Sequence, residues 1–269
     1  MGKLKVTPYN TQSPLIPIIV VPGFLTKDEQ QWGEFIARKT FHPVYHINWE
    51  SFSNSSFDTE KHFLDPIINF DIDALPVYYF TSNRPYKQQQ ESLRAIKKTS
   101  LAISLWNKAC LEADFVTASM INFLNKNFND KPFILLGHSL GGRIVSKISR
   151  GISTTNLLAT IVIAGAIDDK EFNNITRSKD HIPSMGYINF HSKKDSILSM
   201  LYRAATFYRE TPVGMVRSNG NRVINKQFAL GHSEYPRDFW FSVELSNCIH
   251  AIQKIYDEEL APSRPLVVG

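Results

Sequence analysis

Pro132-Phe133-Ile134-Leu135-Leu136-Gly137-His138-Ser139-Leu140-Gly141-Gly142-Arg143 is the stretch that decides the fold. The apolar run Phe133 to Leu136 reads as a buried strand, and Ile144 and Ile148 beyond it carry helical spacing. Between them stands G-x-S-x-G in the setting that a nucleophile elbow requires: strand, sharp turn, helix. Such a turn holds the serine in a strained backbone geometry that lifts its hydroxyl clear of the sheet edge. The residues two before and two after it must then lack side chains, or strand and helix would collide. Gly137 and Gly141 meet that demand and Gly142 extends it. With 13 glycines among 269 residues, the bare pattern is expected about 0.05 times per such chain, so coincidence explains it poorly once strand and helix flank it.

Outward from the elbow, strands and helices alternate. Ile18 to Val21 reads as a central strand ending in Pro22-Gly23-Phe24-Leu25, Asp28 to Arg38 as a helix, and Val44 to Trp49 as the next strand. Residues 1–14 read as an irregular lead-in. Glu91 to Phe128 carries a stripe of Ile103, Trp106, Cys110, Ala113, Met120 and Leu124 at three- and four-residue steps. Beyond the elbow come strands at Ala159 to Ala166, Gly186 to His191 and Arg222 to Leu230. A helix from Phe239 to Tyr256 and a loose tail, 261–269, follow. This alternation predicts an α/β fold, a mostly parallel sheet flanked by helices, in one domain spanning 1–269. Residues 52–90 are aromatic, Pro-bearing and carry Asp65, Asp71 and Asp73. They are expected to leave the sheet, and 52–105 is expected to be a cap or lid insertion.

A serine hydroxyl needs a base, and the base needs an acid to fix its tautomer. On an elbow-bearing sheet the chain order is Ser, acid, His. Asp195 falls just past one expected strand and His232 just past the last, so Ser139, Asp195 and His232 are the expected triad. Asp168 or Asp169, one strand earlier, compete as the acid; His181, His191 and His250 compete as the base. His138 is expected to be a wall residue of the site, and Lys193 and Lys194 a solvated turn. The oxyanion hole is expected from the N–H groups of Leu140, which follows the nucleophile, and Phe24, with Leu25 as second candidate.

Composition bounds the rest. The net charge is +5 and the pI about 9.1, with no basic run resembling a nucleic-acid footprint. Weak attraction to anionic membrane surfaces is compatible with that charge. No apolar run approaches the roughly 18 residues of a bilayer span. The basic start Met1-Gly2-Lys3-Leu4-Lys5 has no apolar h-region, and Val6 stands where myristoylation wants Ser or Thr. The expected location is cytoplasmic, or exported without a cleavable signal. Cys110 and Cys248 read as small buried hydrophobes; no metal spacing exists, and no cofactor is expected.

Taken together, five pieces resemble a known family: Val20-Val21-Pro22-Gly23-Phe24-Leu25, His46-Ile47-Asn48-Trp49-Glu50, Gly137 to Arg143, Asn189 to Asp195 running into Leu201-Tyr202-Arg203, and Gly231-His232-Ser233-Glu234-Tyr235. The set resembles the α/β-hydrolases of the transmembrane-and-coiled-coil-domain-protein type, long known only as a domain of unknown function. The resemblance covers most of 16–240. It implies the same triad and an esterase or lipase-like activity, with a lipid ester as the leading substrate and a small soluble ester or thioester as alternatives. A catalytically silent binding protein on the same fold is the expectation of another class. Eukaryotic members carry strongly apolar, membrane-inserted segments, whereas the middle region here is polar and helical; that difference argues against integral membrane residence and is compatible with peripheral contact.

Overall fold

The computed structural model describes residues 4–23, 31–49, 86–178 and 183–260. Among the described residues, seven strands form one sheet: β1 (Lys5–Tyr9), β2 (Ile18–Val21), β3 (Val44–Asn48), β4 (Phe133–His138), β5 (Leu157–Ile163), β6 (Tyr187–Ser192) and β7 (Val223–Phe228). Their spatial order is β1-β3-β2-β4-β5-β6-β7. Every neighbouring pair is parallel except β1 with β3. The long helices are α1 (Gln31–Thr40), α2 (Tyr86–Asn127), α3 (Leu140–Gly151), α4 (Asp169–Arg177) and α5 (Phe239–Ile255). α1 packs on α5, while α3 packs on α2 and α4, so helices flank the sheet in two groups.

Strands with continuous apolar runs belong in the middle of such a sheet, where both faces are covered. β2, β4 and β5 are buried along their whole length. Each fully buried Ile, Leu or Val there contributes about 1.5–3 kcal/mol. The helices present matching stripes: Trp32, Ile36 and Ala37 on α1, and Trp106, Ala109, Ala113, Met120 and Leu124 on α2. Ile144, Val145 and Ile148 on α3 do the same, as do Phe241, Leu245, Ile249 and Ile252 on α5.

The expected irregular lead-in is corrected here, since Lys5–Tyr9 is a strand. It runs antiparallel at the edge, with Pro8 opposite Tyr45. An edge strand is half-exposed and tolerates proline, so neither its hydropathy nor its composition announces it. Of the expected cap, 52–85 lies outside the described residues, and 86–105 belongs to the continuous helix α2.

The register brings the carboxyl ends of the parallel strands to one edge. Val21 lies opposite Gly137, Gly137 and His138 opposite Val162 and Ile163, and Ser192 opposite Phe228. Turns leaving these strands therefore converge, and in open parallel sheets that edge is where sites assemble.

Candidate active site

Ser139 sits between β4 and α3 with φ 56° and ψ −121°. A non-glycine residue in that region is strained and persists only where its surroundings hold it. Three backbone hydrogen bonds do so: the Ser139 N–H donates to Ile163 O at 3.0 Å, and its carbonyl accepts from Gly142 at 2.9 Å and Ala166 at 3.0 Å. The glycine demand is met by close approach. A Cβ at Gly137 would overlap the Gly141 carbonyl group, and one at Gly141 would overlap the Val21 carbonyl oxygen. Gly23, after β2, passes directly by the serine: a Cβ there would lie 2.6 Å from Ser139 Cβ and 3.2 Å from its Oγ.

Asp195 and His232 arrive from the turns after β6 and β7. The His232 Nδ1–H donates to Asp195 Oδ2 at 2.7 Å. Asp195 is fully buried, and its other oxygen accepts the Leu198 N–H at 2.9 Å. That second bond comes from the π-helical turn Leu198–Tyr202, which the sequence pattern did not reveal. Both carboxylate oxygens thus have donors, which is the condition for keeping a buried carboxylate charged. With Nδ1 committed to Asp195, the Nε2 lone pair of neutral His232 is left to accept a proton.

His138, the residue before the serine, is buried. Its ring stacks on Trp32 with centroids 4.7 Å apart and lies 4.9 Å from the His232 ring. Its Nε2–H donates to the His232 backbone carbonyl at 3.1 Å. Burial, reinforced by the His232 charge, pushes the His138 pKa well below the ordinary histidine value. Tyr235, three residues past His232, is buried on the same cluster; burial and the Asp195 charge raise its phenol pKa.

The competing acids belong to the start of α4. Asp168 precedes α4 and accepts the Thr211 N–H at 3.2 Å, and Asp169 opens that helix. Among the competing bases, His191 is buried within β6 and His250 lies in α5 beside His42; His181 is outside the described residues. Lys193 and Lys194 are exposed, in a turn. Leu140 is the buried first residue of α3, and the N–H of a first helical residue has no carbonyl to reach within its own helix. Phe24 and Leu25 lie outside the described residues.

A charged cluster anchors the elbow helix. Asp114 of α2 takes a two-pronged pair from Arg143, Nε to Oδ1 and Nη2 to Oδ2, each at 3.1 Å, and Lys147 Nζ reaches Oδ1 at 2.7 Å. Glu171 of α4 stands 3.7 Å from Arg143 and 3.5 Å from Lys147. Burial alone would raise the Asp114 pKa, but the two bases together hold it below its usual value. Among the described residues, no group of three or more His, Cys, Asp or Glu side chains could hold a metal ion. No described helix is long and apolar enough to cross a membrane.

No protein-family model matches the chain, and no curated protein matches it. Solved structures similar to it include acyl-protein thioesterase 2 from Zea mays, 14% identical with a TM-score of 0.49, covering 94% of this chain and 100% of that one. MenH from S. aureus is 11% identical with a TM-score of 0.47, over 94% and 98% of the two chains. A monoacylglycerol lipase from Paleococcus ferrophilus is 10% identical with a TM-score of 0.47, over 94% and 99%. At these identities the likeness extends to the arrangement of strands and helices and no further. A mostly parallel seven-stranded sheet with one antiparallel edge, flanked by helices and turning from β4 into α3 through a strained Gly-x-Ser-x-Gly elbow, is the α/β-hydrolase fold.

Proposed function

We propose that this protein is a serine hydrolase that cleaves carboxylic esters through an acyl-enzyme. The observation that carries the reading is the 2.7 Å bond between His232 and Asp195, two turns that meet at the sheet edge where the strained Ser139 stands. In this reading Ser139 Oγ attacks the ester carbonyl while His232 Nε2 takes its proton. The imidazolium that results is stabilised by Asp195 and gives the proton to the leaving alcohol. Water, deprotonated by the same histidine, then releases the acid. The Leu140 N–H and, from the sequence, the Phe24 N–H are the proposed oxyanion donors. Every proton in this cycle moves between side chain, substrate and water, so the chemistry calls for no cofactor.

A lipid ester is the proposed substrate. Support comes from the resemblance to the transmembrane-and-coiled-coil-domain type of α/β-hydrolase and from the basic pI. It comes also from the exposed aromatic side chains on the segments that follow Asp195 and His232. Phe207 and Tyr208 lie in the first, Phe239 and Trp240 in the second. Arg203 sits 5.1 Å over the Tyr208 ring, and Arg209 and Arg237 are exposed nearby in sequence. Aromatic rings beside outward cations suit contact with an anionic lipid–water interface.

The test is labelling with a fluorophosphonate probe, wild type beside Ser139→Ala and His232→Ala, followed by esters and thioesters of increasing acyl length and by vesicles with and without anionic lipid. Labelling of wild type alone, with turnover rising with chain length and on anionic vesicles, is the expected result. Turnover confined to short soluble esters or to thioesters would replace the lipid substrate. A folded wild type that neither labels nor turns over, even with detergent, would leave a silent binding protein.

A further inference from the structure

We infer that His138 is a positioning residue that holds the backbone of His232 in register with the serine, as Asp195 holds its ring. This inference rests on the triad reading above. A histidine in a turn after an edge-side strand such as β7 has two ways to misplace its ring: rotation of the side chain, and drift of the loop. Asp195 opposes the first through Nδ1. The second is opposed by a bond to the main chain, and His138 supplies it at 3.1 Å. A carbonyl oxygen only accepts, so this bond puts the His138 proton on Nε2. Nδ1 of His138 is then a bare lone pair, and it is buried with no hydrogen-bond partner among the described residues. Leaving that atom unsatisfied is costly, and the ring keeps its place because Trp32, itself buried, stacks against its face.

The placement is tied to the elbow. His138 is the last residue of β4 and Ser139 follows it. One short rigid segment therefore carries the proposed nucleophile and, through the adjacent side chain, a restraint on the loop that carries the proposed base. Phe241 extends the support: its ring lies 6.4 Å from Trp32 and 5.0 Å from Tyr235. A neutral His138 also adds no charge beside the imidazolium that forms on His232 during turnover, whereas a second imidazolium 4.9 Å away would oppose it.

The experiment compares His138→Phe, which keeps a flat ring on Trp32 but cannot donate, with His138→Gln, which restores an N–H donor. On a soluble p-nitrophenyl ester, His138→Phe should lower kcat about 10- to 100-fold with KM little changed, and His138→Gln should recover most of it. In NMR spectra the downfield proton of the His232–Asp195 bond should weaken in His138→Phe and return in His138→Gln. Equal kcat and an unchanged downfield proton in His138→Phe would overturn the inference, as would an equal loss in both variants. Should the variants not fold, nitrogen-15 shifts of wild-type His138 decide instead: a proton on Nδ1 rather than Nε2 would overturn it. If the downfield proton responds as expected while wild type shows no turnover or labelling, the hydrolase reading fails and the positioning role stands.

Discussion

His232 Nδ1 and Asp195 Oδ2 stand 2.7 Å apart although 37 residues separate them in the chain. Two parallel strands, β6 and β7, end side by side with Ser192 opposite Phe228, and the turns beyond them close the gap. Replacing Asp195 by Asn keeps the shape but turns the fixed acceptor into an amide, which favours the wrong His232 tautomer. For a soluble ester, kcat should fall about 10³- to 10⁴-fold. Steady-state kinetics beside a circular-dichroism spectrum would check it, and near-normal kcat in a folded Asp195→Asn would remove Asp195 from the proposed triad.

The glycines near the serine should differ in what an added methyl costs, according to what it meets. Gly141→Ala would drive a methyl into the Val21 carbonyl oxygen, backbone against backbone, and should abolish soluble expression or cost several kcal/mol. Gly23→Ala puts a methyl 2.6 Å from Ser139 Cβ and 3.1 Å from the His138 carbonyl oxygen, neither of which can swing away, so stability and activity should both drop. Gly231→Ala meets only the Glu234 carboxyl group at 3.3–3.5 Å, the end of a flexible side chain, and is the control expected to be mild. Thermal melts and probe labelling on the three proteins test the ordering.

Acid should unfold this protein from a higher pH than carboxylates alone would set. His42, His46, His138 and His191 are all buried, and in each case burial is the largest cause lowering the pKa, to about 4 for His46. Below about pH 6.5 the unfolded chain binds protons that the folded chain refuses, so stability falls with falling pH. For His46 the loss runs from about 6.5 down to about 4 and amounts to about 3 kcal/mol, at 1.36 kcal/mol per unit. Urea melts between pH 7 and 4 would show it. A flat stability down to pH 4.5 would mean that these histidines are not held neutral.

Asp114→Asn should loosen the elbow helix from α2. Arg143 would lose a two-pronged charged partner and Lys147 its shortest contact, leaving Glu171 as the carboxylate that pairs with both among the described residues. Because Asp114 is partly exposed, water softens the loss to about 1–2 kcal/mol. Denaturant midpoints in low and high salt give the measure: the wild-type advantage should shrink with salt but not vanish.

How much of this was legible in the chain follows from periodicity and burial. β2 and β4 could be read because a strand covered on both faces must be apolar nearly throughout. The elbow could be read because its glycines answer a steric demand made within five residues. β5 was expected from Ala159 but starts at Leu157 and stops at Ile163, since Ala164 turns away with φ 47°. β1 was missed because an edge strand paired to β3 owes its existence to its neighbour rather than to its own composition. The Trp32–His138–His232 ring cluster had no sequence signal, because it joins α1, β4 and the turn beyond β7.

By itself, then, the sequence determined which segments are strands of a parallel sheet, that a strained serine stands between β4 and α3, and which residue types could serve it. These are local properties, set by side-chain size, backbone freedom and the spacing of apolar residues. Only the tertiary structure decided that Asp195 rather than Asp168 or Asp169 meets His232 and that Leu198 holds the second carboxylate oxygen. It likewise decided that His138 grips the His232 backbone and that Gly23 passes the serine. Those choices depend on strand order and register, which bring turns far apart in the chain to within about 3 Å, the distance at which hydrogen bonds form.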